Sequence, residues 1–564
     1  MLMRDALNLK EHQLPVADVS PGYMEAVADY VRPWVLKSWV DILVVVDTEI
    51  ATQPGAGFGI GYVIELIRNS HVGCMHFRVD IALRNGQAPA VVAAPAPFGP
   101  KYVGFRFDMK DGANDVLDKY EQVWCFGFKP SNSGSANDAE INQPGAFPAS
   151  NAELAKLAAW MKNKKGGLFG TGDHHFLGAS MCKKIPRLGT MRRWTNSDGV
   201  PPIGTPDRID TLRPPSPAYE PANPGGPLAL GNGPHQGDLK VQPIQWVAWQ
   251  WSNWPIFLRR RPHPLLCHPT LGPINVMPDH AHEGLCVENP PLGGSYNFDG
   301  QGAQPEYPPA IDGGAQPKPE IIAFGSTLGD PPYNFAKGEQ PARAKFPMIS
   351  AYDGHRAGVG RVATDSTWHH WMDVNIETIK NANTDDWKLI QRYFINLAVW
   401  LNPPGYTTRC FYICAFKSHF LYPGFQEYHR KLPRAELGRQ LKVHLSRYYG
   451  PCWVRSIIWW KVREAVQFDI DGLRLQKQPR MPFGALDGEL FEDVVLGRIV
   501  EQTWDDADAI KQAGDARTAT RVRARAKDPD ELIATAVQEA LGELGPEIER
   551  HARELTQVAG AFRR

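Results

Sequence analysis

The sequence lacks the features that mark membrane and secreted proteins. It has no apolar run of the ~18 residues that a membrane-spanning helix requires. Met1 to Pro15 alternate charged and apolar positions without the apolar core of a signal peptide. The eight cysteines show no CxxC spacing, so in a chain of this size they indicate reduced, mostly buried thiols. These absences predict a cytoplasmic protein with no membrane partner.

An excess of charge of one sign is also missing. Lys and Arg together number 61, as do Asp and Glu, so the formal net charge of the 564 residues is zero. Nucleic acids usually draw a strongly basic surface, and we therefore expect a small-molecule substrate and no nucleic-acid partner. The hydrophobic fraction of 43% is ordinary for a globular protein and sufficient for a sizeable core.

Strand and helix patterns alternate near the start of the chain. Residues 41–47, DILVVVD, form a continuous apolar run that is typical of a strand buried on both faces. After a glycine-rich turn, apolar residues recur at helical spacing at Ile60, Val63, Ile64 and Ile67. A second strand is predicted at 74–83, so this region is a βαβ unit, and its connection implies a parallel sheet.

The alternation continues to about residue 405. A third strand is predicted at 121–128 and a fourth at 168–172, and the helix between them begins with a capping box of Ser150 and Glu153. After a long interruption, the pattern predicts a strand at 320–326, two adjacent strands joined at Arg356–Gly360, and a helix at 385–401. The expected fold is α/β, with a doubly wound, mostly parallel, flavodoxin-like sheet.

Changes of composition divide the chain into four expected parts. They are an N-terminal segment at 1–36, the α/β domain at 37–405, an aromatic and basic helical segment at 406–480, and a C-terminal helical region at 481–564. Within the α/β domain, Pro, Gly, Asn and Trp dominate a long insertion at about 195–320. We interpret it as loops and short strands, and loops of this length inside a compact protein are usually functional or disordered.

The C-terminal parts offer surfaces for association. Helices are predicted around 436–449 and 453–467. Farther on, apolar residues repeat with 4-3-4-3 spacing at Ile548, Ala552, Leu555, Ala559 and Phe562. Such an amphipathic helix would dock on a protein partner or mediate a homo-oligomer.

Three short segments each combine acidic residues with two histidines. They are GTGDHH at 170–175, MPDHAHEG at 277–284 and DSTWHH at 365–370. The first and third follow predicted strands, and parallel α/β sheets bind ligands at the carboxyl ends of their strands. The second lies in the insertion, which would fold over the same edge.

Imidazole nitrogens and carboxylate oxygens together suit zinc, iron or manganese. We predict a divalent metal held by five residues, Asp173, His174, His280, His282 and His369. A bound metal lowers the pKa of its water toward neutrality, and Glu283 or Asp365 would act as a general base or orient a histidine ligand. The resulting hypothesis is a metal-assisted hydrolase or lyase that acts on a small polar substrate.

Other interpretations of the histidine clusters remain open. A metal-free hydrolase would use Ser366 or Asp173, although the G-x-S-x-G pattern is absent. Alternatively, the histidines are structural and the protein is a non-catalytic scaffold, with the insertion and the C-terminal helices as interaction surfaces.

Three further features have a functional and a structural interpretation. The loop GAGFGIG at 55–61 fits neither G-x-G-x-x-G nor the P-loop pattern and is interpreted as a turn before a helix. Asp47 and Glu49, after the first strand, are candidates for the active edge, although Asp47 would also suit a turn cap. The arginines of IPRLGTMRRW, at 187, 192 and 193, would bind an anionic substrate or form a solvated basic turn.

The strand order, with GGLFGTGDHH early and GRVATDSTWHHW late, resembles the class I glutamine amidotransferase-like superfamily. It is most similar to the non-glutaminase branches, such as the ThuA-like proteins, over roughly 40–405 without the insertion. The resemblance implies a functional residue in the sharp turn at Asp173-His174 and a histidine from the late strand, His369 or His370. The glutaminase cysteine turn and the late His-x-Glu pair are absent, so a glutaminase is not expected. The resemblance thus implies where the site lies, not its chemistry.

Overall fold

The computed structural model of the protein covers most of the chain. It describes residues 38–47, 50–84, 94, 96–128, 148–172, 177–195, 209–210, 241–248, 250–254, 257–278, 282–311, 313–326, 345–421, 432–466, 488–513, 518, 522, 528–529 and 531–543. The predicted N-terminal segment at 1–36 and the predicted amphipathic helix at 548–562 lie outside these residues.

Within the described residues, ten strands form one central sheet. In chain order they are β1 Trp39–Val46, β2 His71–Val72, β3 Met75–Leu83, β4 Tyr102–Val103, β5 Gln122–Phe126, β6 Gly167–Thr171, β7 Gln245–Trp246, β8 Glu320–Ser326, β9 Lys345–Tyr352 and β10 Val362–Asp365. From edge to edge the order is β7-β8-β9-β10-β6-β5-β1-β3-β2, and β4 also pairs with β3.

The middle of this sheet is parallel. β10, β6, β5, β1 and β3 are consecutive in the sheet, and every neighbouring pair among these five strands is parallel. β4 pairs in parallel with β3, whereas β2 pairs antiparallel with it. The predicted βαβ unit is confirmed, because β1 and β3 pair in parallel with Val44 opposite Ile81. The carboxyl ends of these strands therefore meet along one edge of the sheet.

The remaining strands are antiparallel, so the sheet is mixed. β9 and β10 pair antiparallel, as do β8 with β9 and β7 with β8. The turn between β9 and β10 contains only the short 3-10 helix Gly354–Ala357. Parallel neighbours need a much longer crossover, so the pair of adjacent strands predicted around this turn can only be a hairpin.

Helices cover both faces of the sheet. In chain order they are α1 Gly61–Asn69, α2 Asn151–Asn163, α3 Ala179–Cys182, α4 Leu188–Met191, α5 Asp373–Ala382, α6 Asp385–Trp400, α7 Tyr406–Leu421, α8 Arg434–Tyr449, α9 Pro451–Val466, α10 Gly488–Gln502 and α11 Trp504–Ala513. Residues 531–543 are also helical. Alternate residues of β1 point to opposite faces: Ile42 and Val44 share a core with α1 and α6, while Leu43 and Val45 share one with α2.

The start of α2 shows how local sequence determines an element. The Ser150 hydroxyl accepts the Glu153 backbone N–H at 3.4 Å, and the Ser150 N–H donates to the Glu153 carboxylate at 2.9 Å. This is the predicted capping box, which satisfies N–H groups that the first helical turn leaves unpaired.

The helix ends at Asn163, and a side chain at Gly167 would place Cβ 1.9 Å from the Leu401 carbonyl oxygen. Glycine is therefore required where β6 begins.

The helices after residue 405 share a core with the sheet. Leu437 of α8, Val495 of α10 and Ile533 lie in one continuous apolar cluster with Ile64 and Leu397. The composition change at 405 is therefore not a break in the core, and removal of the chain from about 485 would expose apolar surface. Among the described helices, none combines the length and apolar composition that a bilayer span requires.

The sequence predicted α8 and α9 but not α7. In α7 every residue from Cys410 to Phe416 is at most 2% exposed. A helix that is apolar all round has no polar face, so its sequence lacks the period from which a helix is predicted.

The described parts of the insertion contain short antiparallel ribbons, in agreement with the predicted short strands. The paired segments are Ile209–Asp210 with His282–Glu283, Val241–Pro243 with Val276–Pro278, Gln250–Trp254 with Phe257–Arg261, Cys267–His268 with Gly272–Pro273, and Ser295–Tyr296 with Gln304–Pro305. Through β7 the insertion also adds the outermost antiparallel strand to the central sheet.

Candidate active site

Backbone hydrogen bonds join the three histidine-containing segments. Gly172 of the first segment accepts the backbone N–H of Trp368, with an N···O distance of 2.8 Å. Gly284 of the second segment donates its N–H to the carbonyl of Ser366 at 3.1 Å. These contacts lie at the carboxyl ends of β6 and β10, which pair in parallel. The three segments therefore meet at one place on the edge of the sheet.

Close packing at this place requires glycine in the second segment. A Cβ at Gly284 would lie 2.2 Å from the Arg192 guanidinium and 2.6 Å from the Ser366 carbonyl oxygen. Both distances are well below van der Waals contact, so any side chain here would push the insertion off the sheet edge. The final glycine of MPDHAHEG thus fixes how closely the segment approaches β10.

The structure describes only part of the predicted site. Asp173, His174 and His280 lie outside the described residues. His282 and Glu283 form a two-residue strand, and only their backbones are described. Among the described side chains, no three His, Cys, Asp or Glu residues are grouped as a metal site. Because four of the five predicted ligands have no described side chain, the metal site remains a prediction.

A carboxylate–imidazole pair lies directly beneath the edge. The Asp365 carboxylate accepts the His370 Nδ1–H at 2.8 Å and the Trp371 indole N–H at 3.3 Å. All three side chains are fully buried. Burial, followed by the Asp365 charge, raises the pKa of the neighbouring Tyr393 phenol, which keeps this phenol protonated. Asp365 was predicted as a base or as the orienter of a histidine, and its contacts suit only the orienting role.

His369 is the predicted ligand whose side chain is described. Its Nδ1 lies 3.1 Å from the Asn375 amide oxygen, an acceptor, so Nδ1 donates its proton in this contact. Its backbone N–H is capped by the Thr367 hydroxyl at 3.1 Å. These contacts therefore hold the ring in one orientation.

Ser366 does not suit the role of a nucleophile. Its side chain is fully buried, and its carbonyl oxygen accepts hydrogen bonds from Gly284 and from the Arg192 guanidinium, the latter at 2.7 Å. A hydroxyl without accessible surface cannot meet a dissolved substrate in this arrangement. Ser366 instead anchors the insertion and an arginine to the end of β10.

Arg192 is a buried cation at the same edge. Its guanidinium donates to the carbonyls of Asp365, Ser366 and Arg193 at 3.2, 2.7 and 3.1 Å and lies 4.5 Å from the Trp194 ring centroid. Arg187 and Arg193 are also buried, so the interpretation of these arginines as a solvated basic turn is wrong. A buried positive charge favours the ionised form of nearby acids and of an anionic ligand.

Aromatic side chains line the edge around His369. The rings of His369 and Trp368 lie 3.9 Å apart between centroids, and Trp368 lies 5.0 Å from Phe128. Phe58, from the glycine loop, approaches His369 edge-on at 6.4 Å. Phe58 is 39% exposed, which is high for a large apolar side chain. The imidazole therefore lies beside a partly exposed apolar side chain.

The Asp47 side chain connects the carboxyl ends of β1 and β5. Its carboxylate is fully buried and accepts the backbone N–H of Phe128, past the end of β5, at 2.7 Å. This contact supports the structural interpretation of Asp47 over a direct role at the active edge. Glu49, the other acid predicted there, lies outside the described residues.

The glycine loop is a turn before α1, as predicted, and a carboxylate fills its anion-binding position. Asp373 accepts the backbone N–H of Gly55 at 2.8 Å and that of Tyr62, at the start of α1, at 2.9 Å. In return, the Asp373 N–H donates to the Gly59 carbonyl at 2.7 Å. The helix N-terminus that could bind a phosphate is thus occupied by the protein itself.

Asp373 makes stability depend on pH. Burial raises the pKa of its carboxyl to about 6, against backbone N–H groups that lower it, whereas an unfolded aspartate titrates near about 3.9. Asp373 therefore contributes at most about 3 kcal/mol to the free energy of unfolding. This contribution is fully present below about pH 4 and is lost as the pH rises through about 6. The free energy of unfolding of Asp373→Asn should lack this decline. Urea unfolding of both proteins from about pH 4 to about pH 7 tests this prediction. A difference in free energy of unfolding between them that does not change with pH would contradict it.

Sequence reasoning missed several residues of this site. His370 was named only as an alternative to His369, and Asn375, Trp371 and Phe58 were not predicted. The 3-10 helix Trp368–Trp371 turns the chain back on itself. That turn brings His370 into contact with Asp365, and no periodic pattern in the sequence predicts it. The one available signal was the density of polar and aromatic residues after β10.

Comparisons with protein-family models, with curated proteins and with solved structures find no match to this chain.

Proposed function

We propose that the protein is a hydrolase or lyase that acts on a small polar substrate at the carboxyl edge of the sheet, with a divalent metal at its site. The observation that carries the proposal is the meeting of the three histidine-containing segments, through Gly172–Trp368 and Gly284–Ser366 hydrogen bonds. Each segment brings imidazoles and carboxylates, so their meeting concentrates metal-binding and proton-transfer groups at one point.

The order of the parallel strands supports a flavodoxin-like fold of the kind implied by the class I glutamine amidotransferase-like resemblance. Counted in chain order without the short β4, the parallel strands lie 2-1-3-4-5 across the sheet. This is the order of flavodoxin-like doubly wound folds, which bind ligands outside the carboxyl ends of their strands. Gly172 at the end of β6 and the histidines after β10 both lie at that edge.

The described histidines suit a metal site. Metal-binding histidines usually donate their second ring N–H to a carbonyl or a carboxylate, which fixes the tautomer and increases the basicity of the ligating nitrogen. His369 has this arrangement with Asn375, and His370 has it with Asp365. Asp173, His174, His280, His282 and His369 would hold zinc, iron or manganese, which when bound supplies a water that ionises near neutral pH.

The protein's own groups then have distinct tasks. Glu283 is the proposed base, because Asp365 is committed to His370 and Trp371. The positive charge of Arg192, held by carbonyls at the end of β10, favours an anionic group on the substrate. Phe58 shields one side of His369 and limits the access of water.

Elemental analysis of the purified full-length protein tests the proposal. We expect close to one equivalent of zinc, iron or manganese, and a loss of most of it in His369→Ala and in His280→Ala/His282→Ala. Asn375→Ala should weaken metal affinity by about 10–100-fold, since Asn375 only orients a ligand. His71→Ala is the matched control, because His71 lies at the opposite, amino edge beside the start of β3.

Two results would overturn the metal assignment. One is substoichiometric metal in protein expressed with ample metal. The other is metal content that stays unchanged in His280→Ala/His282→Ala. Turnover of ester or amide substrates that resists chelators would instead support a metal-free hydrolase at the same edge.

A further inference from the structure

A buried glutamine of the insertion has an amide that the chain does not pair. Gln242 is 3% exposed and lies in the three-residue strand Val241–Pro243. Within the part of the chain that the structure describes, neither its amide oxygen nor its amide nitrogen has a hydrogen-bond partner. Such groups are uncommon in folded proteins, because burial removes them from water and no other contact replaces the water. The position therefore lowers stability unless the amide binds a ligand.

A second buried glutamine shows how the fold pairs an amide that has a structural role. Gln122 of β5 is fully buried. Its amide nitrogen donates to the Ala398 carbonyl at 2.5 Å and to the Asn402 amide oxygen at 2.7 Å. Its amide oxygen accepts the Trp124 indole N–H at 3.0 Å. Both ends of this amide are therefore paired by the protein itself, in contrast to Gln242.

Gln242 lies where the insertion covers the edge of the sheet. Its strand pairs with Val276–Pro278, and Gln242 is directly opposite Met277, the first residue of the second histidine segment. Directly opposite residues of antiparallel strands point to the same face, and Met277 is fully buried in the core that includes Trp368. The strand Val276–Pro278 packs against the 3-10 helix Trp368–Trp371 and against α5 and α6. The Gln242 amide therefore lies on the inner face of this ribbon.

A second buried donor without a partner belongs to that 3-10 helix. Trp368 is 7% exposed, and its indole N–H has no acceptor among the described residues. Trp371, in the same helix, instead donates its indole N–H to Asp365 at 3.3 Å. The Trp368 ring lies 3.9 Å from the His369 ring between centroids. An unpaired donor is thus placed beside a predicted metal ligand.

We propose that Gln242 recognises an amide or ureide group of the substrate, with Trp368 as a second donor to that group. A glutamine amide offers an acceptor and donors side by side, so its full complement offers a donor and an acceptor in return. Ionised carboxylates and esters lack the donor, whereas carboxamides, lactams and ureides have both. The inference rests on the proposed function, because it names the substrate class of the same site.

The ribbon controls access to these two groups. Their polar atoms are buried in the structure, so a ligand reaches them when the paired strands Val241–Pro243 and Val276–Pro278 separate from the 3-10 helix. Closure of the ribbon then encloses the ligand beside His369 and excludes water, as closing segments do in many enzymes.

Removal of the unpaired amide tests the proposal in the free protein. Gln242→Met keeps the length of the side chain without its polar atoms, so Tm should stay unchanged or rise by up to about 3 °C. Gln122→Met is the matched control and should lower Tm by about 3 °C or more, since it leaves the Trp124 indole N–H unpaired. A fall in Tm for Gln242→Met that matches the fall for Gln122→Met would show a structural amide and overturn the proposal.

Binding by the full-length protein is measured by ligand-observed NMR with three ring compounds of equal ring size. 2-Piperidone has an amide N–H and a carbonyl, N-methyl-2-piperidone lacks the N–H, and cyclohexanone lacks the nitrogen. We expect 2-piperidone to bind roughly tenfold or more tightly than the other two, since a site built around a hydrogen bond rejects analogues that cannot form it. Gln242→Met should abolish this preference, and Gln122→Met should retain it. Trp368→Phe should weaken binding of 2-piperidone by about fivefold.

The opposite results are equally distinct. Equal binding of the three compounds to the wild-type protein would overturn the proposal, as would a preference that survives in Gln242→Met. The wild-type comparison needs no variant, so it stands even if Gln122→Met does not fold. Elemental analysis of the same preparations separates this inference from the proposed function. A preference for 2-piperidone in protein without metal would remove the metal assignment alone, and bound metal without that preference would remove this inference alone.

Discussion

Trp371→Ala is expected to lower the free energy of unfolding by about 3–5 kcal/mol, the range for loss of a large aromatic side chain from a packed core. The Trp371 ring is fully buried. It lies 5.8, 5.5 and 4.6 Å from the ring centroids of Trp124, Phe126 and Phe169, which come from β5 and β6, and 4.6 Å from Phe394 of α6. Its removal would leave a cavity between the sheet and α6. Equilibrium urea unfolding, followed by far-UV circular dichroism, measures the loss.

Two further variants separate packing from hydrogen bonding. Trp371→Phe keeps most of the ring but loses the indole N–H that donates to Asp365 at 3.3 Å, so a loss of about 1–2 kcal/mol is expected. Phe58→Ala removes an aromatic side chain that is 39% exposed and should cost well under half as much as Trp371→Ala. Equal losses in Trp371→Ala and Phe58→Ala would contradict the assignment of Trp371 to the core.

The second large effect is expected where α8 crosses α10. A Cβ at Gly438 would lie 1.6 Å from the Asp493 carbonyl oxygen, and one at Gly497 would lie 2.1 Å from the Arg434 carbonyl oxygen. The two helix backbones therefore touch, and each glycine faces the other helix. In Gly438→Ala the helices must move apart, which costs about 3 kcal/mol or more. This outweighs the roughly 1 kcal/mol that alanine gains in helix propensity.

Gly542→Ala is the matched control for this prediction. Gly542 lies in the helical stretch 531–543, and a Cβ there would meet no atom within 4 Å. The same substitution should therefore be neutral or stabilise by up to about 1 kcal/mol. Urea unfolding of the two variants measures the contrast. A Gly438→Ala variant that is as stable as Gly542→Ala would show that the helices do not approach as closely as described.

Local patterns predicted the elements that carry strong periodicity or clear caps. The capping box of Ser150 and Glu153, the strand at 320–326 and the apolar face of α6 all appear where the sequence placed them. Each of these signals depends on residues within one or two turns. The antiparallel course of β8 and the helix α7 were not predicted, because they depend on which distant surfaces cover them.

The candidate site was predicted in part for the same reason. The residues at the ends of β6 and β10 could be named, because parallel strands in a βαβ fold end at a common edge. The partners of those residues could not. Asn375 reaches His369 from the next helix, and Arg192 reaches the carbonyls of Asp365 and Ser366 from the segment after α4. Neither contact follows from spacing in the sequence.

The sequence by itself determined where the elements with strong periodicity or clear caps form, which faces they bury, and that histidines and acids follow two strands and recur in the insertion. Only the tertiary structure decided that the insertion returns to the end of β10, that His370 turns inward to Asp365, and that Asn375 orients His369. Element formation depends on short-range backbone and side-chain preferences that the local sequence contains. Contacts between segments depend on how several buried surfaces fit together at once, and that fit exists only in the folded chain.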